Sequence, residues 1–403
     1  MTERILIVGS GFAGVWGALG AARVLDQQGT ADGTVEIALI SPEPLLAIRP
    51  RLHESEPAEY AAPLEALLAA AGVRYVQGSV ERIHQQDRCV DAIAADGKRF
   101  SLAYDRLLLT SGSKMARPDE PGIHAHAFSI DQQDEAVELD LHLKRLAGQP
   151  SSASRNTVVV VGGGFTGIEL ACELPQRLRK VLGADAPAKV VLIERGADIG
   201  PELGAGPRPV IEQALDDMGV VRLLGTAVTA VTAEGVELAG GKRIAAQTVI
   251  WTGGPRASAL TQQISAERDA LGRLHVARDL RVKGVPSIFA AGDVALAATD
   301  NDGNHAMMSC QHAIDMGRYA GYNVAADLLG LPTLEYQQPF YVTCLDLGGA
   351  GAVYTEGWER EVKMSGAEAK ALKVKINTQW IYPPVAERAV LLAAADPARS
   401  VAA

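Results

Sequence analysis

The chain has 403 residues, a length that indicates two or three domains with a sizeable core. Its formal net charge of −10 at pH 7 argues against nucleic acid or an anionic membrane face as the main partner. No stretch approaches the ~18–20 apolar residues of a membrane-spanning helix. Cys89, Cys172, Cys310 and Cys344 lie too far apart for a local redox pair or a metal site, so no metal is predicted.

The N-terminal stretch predicts a strand, a glycine turn and a helix. An apolar run at residues 5–8 precedes Gly9-x-Gly11-x-x-Gly14, and a helix-compatible segment follows. Gly9 allows the tight turn, Gly11 lets a pyrophosphate approach the backbone, and Gly14 lets the helix pack closely on the strand. The helix N-terminus then offers free N–H groups and its positive dipole end to phosphates.

The same pattern returns one domain later. Residues 156–174 combine an apolar run, Gly162-x-Gly164-x-x-Gly167 and a second helical segment. A third piece, at residues 288–293, has the form strand–Gly292–Asp293, where an aspartate can bind the sugar or ribitol hydroxyls of a cofactor. Two such turns imply two dinucleotides bound to one chain.

The residues that should bind the adenosine riboses differ between the two units. The strand at 35–40 ends in Ser41 with Glu43 two residues later, and either side chain could contact the first ribose. The strand at 189–193 ends in Glu194, whose carboxylate would accept from the ribose hydroxyls and repel a 2′-phosphate, which favours NADH over NADPH. Arg195 leaves the alternative open, because a guanidinium could grip that phosphate.

Other predicted elements connect these motifs. The loop at 47–54 contains Arg49, which is interpreted either as a contact to the flavin or its phosphates, or as part of a solvated loop. Short strands are predicted at 73–83 and 88–109, the latter leading to a turn with Thr110 and Gly112 at the cofactor. An amphipathic helix is predicted at 131–147, strands near 220–231 and 244–252, and a helix at roughly 309–329. The C-terminal region should add strands at 341–343 and 352–354 and a helix at 367–375.

With these motifs in this order, the chain resembles the two-dinucleotide flavoprotein oxidoreductases. It is most similar to type II NADH dehydrogenases (NADH:quinone oxidoreductases) and their apoptosis-inducing-factor-like relatives, over roughly residues 3–330. The resemblance implies an α/β fold with two Rossmann-like domains, the glutathione-reductase-like fold, and a small C-terminal α+β cap. The implied boundaries are 1–115 with 256–330 for the FAD domain, 116–255 for the NAD(P)H domain and 331–403 for the cap.

The resemblance also implies the site. Glu169 is expected to lie near the nicotinamide–flavin contact, and catalytic roles are predicted for Glu169, Gln311 and His312. The predicted cofactor-binding residues are Gly9, Gly11, Phe12, Ala13, Gly14, Ser41, Glu43, Arg49, Val80, Thr110, Gly112, Gly162, Gly164, Phe165, Thr166, Gly167, Glu194, Arg195, Gly253, Gly254, Gly292, Asp293 and Cys310.

The acceptor site departs from the family pattern. The dehydrogenases have Ala-Gln-x-Ala-x-Gln beside the flavin, whereas this chain has Gln311 followed by Asp315 in place of the second glutamine. We expect Gln311 and Asp315 to face the flavin and His312 to lie near the rim, where it could donate a proton. No cysteine falls in the loop at 41–56 or directly after Gly112, which excludes disulfide-exchanging and sulfide-oxidising relatives.

The predicted function is hydride transfer from NADH to FAD, followed by electron transfer to a quinone or quinone-like small acceptor. A redox-sensing flavoprotein with slow turnover, and an oxidase or biosynthetic flavoenzyme that uses oxygen or another small acceptor, remain as alternatives. The expected location is the cytoplasm, with peripheral attachment to the inner membrane face and homodimer formation left open.

Overall fold

The computed structural model of the chain describes residues 2–399. Its first layer is a five-stranded parallel sheet built around the N-terminal strand Glu3–Val8. The inner residues of that strand are fully buried, as expected for a parallel strand covered on both faces. The strand order across the sheet is Ile288–Ala290, Arg106–Leu109, Glu3–Val8, Val35–Ser41 and Arg74–Gln77.

Two helices cross in close contact on this sheet. The first nucleotide helix, Phe12–Gln27, packs against the long helix Cys310–Leu328. Glycines make the approach possible, because a Cβ added to Gly321 would lie 2.1 Å from the carbonyl oxygen of Gly17. The start of the long helix is thereby held beside the first glycine turn.

The second layer repeats the arrangement with a four-stranded parallel sheet. Its strand order is Val221–Leu223, Lys189–Ile193, Thr157–Val161 and Thr248–Trp251. The second nucleotide helix, Phe165–Leu182, follows the central strand. Each layer also has a three-stranded antiparallel meander; these are Ser79–His84, Cys89–Ile93 and Arg99–Ala103 in the first, and Val228–Thr232, Gly235–Leu238 and Arg243–Ala245 in the second.

The chain passes between the layers twice, and the two passages pair with each other. Strand Ser113–Met115 lies antiparallel to Pro255–Ala257. The remaining elements are short: strands Leu45–Ala47, Ala61–Pro63, Leu274–His275 and Ala295–Leu296; helices Glu65–Ala71, Ile123–His126, Gln133–Arg145 and Arg208–Asp217; and 3₁₀ turns Arg49–Arg51, Pro57–Glu59, Leu146–Gly148, Pro201–Leu203, Ala259–Gln263, Gly292–Val294 and Gly348–Ala350.

The C-terminal region contains an antiparallel sheet of Val342–Asp346, Ala352–Glu356 and Glu361–Ser365. Helix Gly366–Lys375 follows and widens into a π-helical turn, Ile376–Trp380. Helix Arg388–Ala394 then returns to the first layer, where Arg388 donates to the carbonyl of Ala71 at 2.9 Å and Arg23 pairs with Asp396 at 2.7 Å. Within the described part of the cap predicted at 331–403, helix Arg388–Ala394 therefore packs on the first layer, and the boundaries of the cap stay a prediction.

The predicted α/β class with two dinucleotide-binding layers is confirmed. The long helix predicted at roughly 309–329 begins at Cys310 and ends at Leu328. The helix predicted at 131–147 spans Gln133–Arg145, where Gln132 and Glu135 form a capping box. Within residues 2–399, no helix combines the length and apolar character needed to cross a bilayer.

Candidate functional site

A cleft of about 1590 Å³ reaches both glycine turns, the start of helix Cys310–Leu328 and the C-terminal sheet and helix. Many predicted site residues line it; these are Gly9, Gly11, Phe12, Ala13, Ser41, Arg49, Thr110, Gly112, Gly162, Gly164, Phe165, Thr166, Glu169, Glu194, Arg195, Gly253, Gly254, Gly292, Asp293, Cys310 and Gln311. Five others are absent from its lining: Gly14, Glu43, Val80, Gly167 and His312. One continuous space thus joins the two turns.

The glycines of the first turn differ in what surrounds them. Gly9 has a φ of 110°, and a Cβ there would lie 2.5 Å from the Thr110 carbonyl oxygen. A Cβ on Gly14 would lie 1.9 Å from the carbonyl oxygen of Gly9, so Gly14 serves the packing of helix against turn. At Gly11, by contrast, no atom lies within 4 Å of the Cβ position. The turn is closed on the protein side and open at Gly11, as a phosphate-binding turn requires.

The second turn has the same frame. Gly162 has a φ of 115°, and a Cβ on Gly167 would lie 1.9 Å from the Gly162 carbonyl oxygen. The position equivalent to Gly11 is Gly164, and here a carboxylate oxygen lies close to the Cβ position. A Cβ on Gly164 would lie 2.5 Å from Oε1 of Glu202, which accepts a hydrogen bond from the amide of Phe165 at 2.8 Å.

The acidic residue after the second strand is held by backbone amides. The Oε2 atom of Glu194 accepts from the Gly163 amide and its Oε1 atom accepts from the Gly196 amide, each at 2.7 Å. Arg195 is exposed and also lines the cleft. In the first layer Ser41 is buried at the end of its strand and lines the cleft, whereas Glu43 is exposed and lies outside the lining. Of the two alternatives for the first ribose, Ser41 is the one in position.

Arg49 and Asp293 meet in one polar cluster at the cleft. Arg49 pairs with Asp131 at 2.5 Å and lies 3.5 Å from Oδ2 of Asp293. The hydroxyl of Ser113 donates to the same Asp293 oxygen at 2.6 Å. The loop at 47–54 is therefore anchored rather than solvated, and it places a guanidinium beside the Gly292–Asp293 turn.

Glu169 forms a buried ion pair with Lys373 that was not predicted from the sequence. Lys373 Nζ lies 2.8 Å from Glu169 Oε1, and His53 Nδ1 lies 3.6 Å from Glu169 Oε2. Burial would lower the pKa of Lys373, but the attraction of Glu169 outweighs it and the pKa is raised above the ordinary lysine value. Lys373 therefore keeps its proton at neutral pH. Its sequence signal was weak, because it is one lysine among several in a short basic helix.

The structure corrects the predicted positions of His312 and Asp315. His312 is fully buried away from the rim, and its ring stacks on that of Tyr341, which also stacks on Trp358. Burial lowers the pKa of His312 to about 3, so its imidazole is neutral near pH 7 and is no proton donor of the expected kind. Asp315 pairs with Arg318 at 2.8 Å and is absent from the cleft lining.

Gln311, predicted to face the flavin, is part of the cleft lining, and its contact with a cofactor or acceptor stays a prediction. It lines the cleft in the first turn of its helix, and its Nε2 atom has no hydrogen-bond partner within residues 2–399. The Oδ1 atom of Asn377, in the π-helical turn, also lacks a partner in this range, and Asn377 lines the same cleft. Buried amides without partners indicate groups that a bound molecule satisfies.

The cysteines show no sign of redox chemistry. All four are free thiols, and burial raises the pKa of Cys310 and Cys344 to about 11 and that of Cys172 to about 12. Such thiols stay protonated near neutral pH and are poor nucleophiles. Within the described part of the chain no cluster of His, Cys, Asp or Glu could hold a metal ion.

Two phosphate-binding turns that share one cleft define a two-dinucleotide oxidoreductase. The profile of the family described as pyridine nucleotide-disulphide oxidoreductase matches residues 3–317. A NADH dehydrogenase-like protein of Mycobacterium tuberculosis is 50% identical over 403 residues, which covers 98% of each chain. A demethylphylloquinone reductase of Synechocystis is 30% identical over 377 residues, covering 91% of this chain and 89% of that one. The structure of NDH2 from Plasmodium falciparum with NADH has a TM-score of 0.77 at 16% identity, covering 98% and 97% of the two chains.

The chain belongs to the pyridine nucleotide-disulphide oxidoreductase family. It is an NAD(P)H dehydrogenase with FAD and NADH as cofactors, as the sequence predicted. The open position at Gly11 fits a bound flavin nucleotide.

Proposed function

We propose that the protein passes hydride from NADH to FAD and then electrons to a quinone-like small acceptor. The observation that supports this most directly is the single cleft that joins both glycine turns to Gln311 and Asn377. The demethylphylloquinone reductase among the relatives acts on a quinone by name, and this chain covers 89% of its length. The proposal assigns the same class of acceptor to this chain.

Each turn would hold one nucleotide. The first turn, with Gly11 open and Asp293 at the neighbouring strand end, would hold FAD, which supplies the two-electron chemistry of its isoalloxazine ring. The second turn, with Glu194 beside it, would hold NADH. The contribution of the chain is to orient the two nucleotides against each other in a shared, largely buried space.

The Glu169–Lys373 pair would determine the electrostatic potential between the two bound nucleotides. Both side chains are about 5% exposed, and both line the cleft. Lys373 Nζ also donates to the carbonyl of Cys344 at 2.9 Å, which fixes the ammonium in place. A preorganised positive charge stabilises negative charge that develops nearby during the reaction. Because the charge is already in place, no free energy is spent on reorienting it during the reaction.

The acceptor pocket would use the two unpartnered amides. Gln311 can donate through Nε2 to a quinone carbonyl, and Asn377 can accept through Oδ1 from a hydroquinone hydroxyl. The π-helical turn at Ile376–Trp380 is consistent with this role, since such turns occur frequently at functional sites. Trp380 and Ile381 add apolar surface to the same lining.

The test separates the two half-reactions. Replacing Gln311 with Leu removes a donor from the acceptor pocket and leaves both glycine turns intact. We expect reoxidation of the flavin by a soluble quinone to slow about tenfold, the usual effect of losing one hydrogen bond to a group that carries or develops charge. Reduction of the flavin by NADH should remain nearly unchanged. Stopped-flow absorbance measures both steps, and Gln213→Leu, on an exposed helix face, is the matched control.

Other results identify other functions. Slowed reduction with normal reoxidation by every acceptor would place the pocket elsewhere and contradict the quinone assignment. Rapid reduction by NADH without turnover on any quinone would favour the redox-sensing alternative, and turnover with oxygen alone would favour the oxidase. An anaerobic NADH titration followed by an acceptor panel distinguishes these three.

The proposed location is the cytoplasm, with contact to the inner membrane face as the route for a lipid-soluble quinone. Exposed apolar side chains in the C-terminal region support this contact, since Val374, Trp380 and Val385 are 49%, 42% and 63% exposed. A homodimer remains a prediction from the sequence.

A further inference from the structure

A carboxylate of the chain itself holds the helix N-terminus at the second glycine turn. Glu202, in the 3₁₀ turn Pro201–Leu203, accepts a hydrogen bond from the Phe165 amide at 2.8 Å. The same oxygen lies 2.5 Å from the position that a Cβ on Gly164 would take. Gly164 is the glycine whose missing side chain should let a pyrophosphate approach, so the carboxylate lies in the space that a phosphate needs.

The first turn shows what the second would look like without this residue. Gly11 occupies the equivalent position, and no atom lies within 4 Å of its Cβ site. Both helices begin with unpaired backbone N–H groups and a positive dipole end, which bind a carboxylate and a phosphate by the same physics. One of the two anions must leave before the other can bind, because they would share the amide and repel each other.

We propose that Glu202 competes with the pyrophosphate of the dinucleotide and so sets the affinity and ligand selectivity of the second site. This inference depends on the proposed function in one respect, namely that the second turn binds the nicotinamide dinucleotide. Ligands that place phosphates at Gly164 bind against this competition, whereas ligands without phosphates do not meet it. Glu202 is exposed, so its side chain can leave without disturbing the core.

A buried cation lies against the loop that follows Glu202. Arg360 is 7% exposed, its NH1 atom has no hydrogen-bond partner, and no carboxylate within residues 2–399 lies within 4 Å of it. Its Cγ lies 3.7 Å from the position that a Cβ on Gly204 would take, and its carbonyl oxygen lies 2.6 Å from the position that a Cβ on Gly206 would take. The guanidinium lines the same cleft as Glu202. The Arg360 guanidinium stacks over the Tyr341 ring, with Cζ 4.3 Å from the ring centroid, and its unpartnered NH1 atom offers the displaced carboxylate a second position.

The experiment measures binding of ADP-ribose and NAD⁺ to the oxidised, FAD-loaded protein by calorimetry. Neither ligand reduces the flavin, and both contain the pyrophosphate. We expect affinity to rise in the order wild type, Glu202→Gln, Glu202→Ala, with about a tenfold gain for Glu202→Ala, as for release of one charge-assisted hydrogen bond. Adenosine, which lacks phosphates, should bind all three proteins equally.

A second carboxylate controls for the change in net charge. Glu120 is an exposed residue that lines the same cleft, and its side chain makes no hydrogen bond within residues 2–399. Glu120→Gln removes the same charge and should leave ADP-ribose binding unchanged at matched ionic strength. A gain in this variant as large as in Glu202→Gln would overturn the proposal, because it would show general repulsion instead of competition at one amide.

The role of Arg360 is tested by a double-mutant cycle. If Arg360 receives the displaced carboxylate, Arg360→Met weakens ADP-ribose binding in the wild type but not in the Glu202→Ala background. Equal weakening in both backgrounds would show that Arg360 contacts the ligand directly and would overturn this step. Flavin content and thermal unfolding of each variant confirm that the fold is retained.

Failure of this inference is distinguishable from failure of the proposed function. If wild-type protein binds no ADP-ribose or NAD⁺ and Glu202→Ala also binds none, the second turn is not a dinucleotide site and the proposed function fails. If the wild type binds both ligands and Glu202→Ala binds them no more tightly, the proposed function stands and the competition by Glu202 is rejected.

Discussion

Glu194 is the side chain predicted to select between NADH and NADPH. Its two carboxylate oxygens are fixed by the amides of Gly163 and Gly196, so the negative charge is held beside the second glycine turn. A 2′-phosphate on the adenosine ribose would approach this charge, whereas the two hydroxyls of NADH can donate to it. Arg195 is exposed beside it and offers the opposite electrostatics.

Replacing Glu194 with Gln should reduce the preference for NADH over NADPH about tenfold, a difference of ~1.4 kcal/mol in transition-state binding. The amide keeps the shape and one acceptor but removes the repulsion of the phosphate. Steady-state kcat/KM values for both coenzymes measure the change. A wild-type kcat/KM that is higher for NADPH would show that Arg195 controls the selection.

The burial of His312 predicts a pH-dependent contribution to stability. Its pKa is about 3 in the folded protein and ~6.5 in the unfolded chain, so the folded state is favoured fully above pH 6.5 and progressively less as the pH falls towards 3. Between pH 6.5 and 5 this residue should remove about 2 kcal/mol from the free energy of unfolding. His312→Phe keeps the aromatic stack with Tyr341 and should lack this loss. Denaturation at pH 7 and pH 5 tests it, and an equal decline in both proteins would contradict it.

At the scale of single residues, the sequence predicted the roles of the glycines better than the contacts of the polar side chains. The roles of Gly9, Gly11 and Gly14 follow from backbone geometry that any such turn must adopt, and the structure shows close approaches at Gly9 and Gly14 and an open position at Gly11. Lys373 and His53 could not be assigned to Glu169, because their proximity depends on how residues more than 100 positions apart pack together. His312 was misplaced for the same reason, since its partners Tyr341 and Trp358 belong to the C-terminal region.

Among the elements, the crossing of helices Phe12–Gln27 and Cys310–Leu328 positions the start of the second helix, where the acceptor pocket is proposed. Gly17, Gly20, Gly317 and Gly321 allow the two backbones to touch. A Cβ on Gly317 would lie 2.7 Å from the Ala13 carbonyl oxygen, and one on Gly20 would lie 2.8 Å from that of Arg318. Any added side chain would push the helix that begins at Cys310, and Gln311 with it, away from the first glycine turn.

Gly321→Ala should therefore lower the free energy of unfolding by about 1–3 kcal/mol or more, the usual cost of overpacking. The new methyl group would lie 2.1 Å from the Gly17 carbonyl oxygen, which is backbone and cannot rotate away. We expect a lower melting temperature and reduced FAD content. Gly148→Ala is the matched control, because no atom lies within 4 Å of that Cβ position. Unchanged melting of Gly321→Ala would mean that the helices separate without cost.

The long helices and the short C-terminal strands were predicted, whereas helix Arg388–Ala394 and the π-helical turn were not. Helix Arg388–Ala394 has only seven residues, too few for a helix stable on its own, and it exists through packing on helices Phe12–Gln27 and Glu65–Ala71. The π-helical turn Ile376–Trp380 has no sequence signature of its own, since it continues the helix predicted at 367–375. Such features depend on tertiary contacts that local patterns do not encode.

For the whole molecule, the flavin should be a structural ligand as well as a cofactor. The first turn and the C-terminal region line the same cleft, so a molecule bound there contacts segments far apart in the chain. A ligand that binds only the folded state stabilises it by about 4 kcal/mol at a thousandfold excess over Kd. The wild-type protein should therefore melt at a higher temperature with FAD than without it.

Gly11→Val should abolish the rise in melting temperature caused by FAD while leaving the melting temperature of the FAD-free protein unchanged. No atom lies within 4 Å of the Cβ position, so the valine fits the folded chain, but it would stand where the pyrophosphate must approach. Melting of the apo and FAD-loaded forms, together with the flavin released on denaturation, measures both effects. Retention of one FAD per chain by the variant would show that the first turn does not bind the flavin.

The interleaved path of the chain also has a consequence for biosynthesis. The first sheet needs strand Ile288–Ala290, and its covering layer needs helix Cys310–Leu328, whereas the second sheet is complete within one continuous stretch. A ribosome adding ~5–20 residues per second emits the roughly 200 intervening residues over about 10–40 s. During that interval the first sheet lacks its last strand and its covering helix, whereas the second domain is already complete in sequence and can fold. We therefore expect the second domain to fold before the first, so that the segments of the first domain assemble against an already folded neighbour.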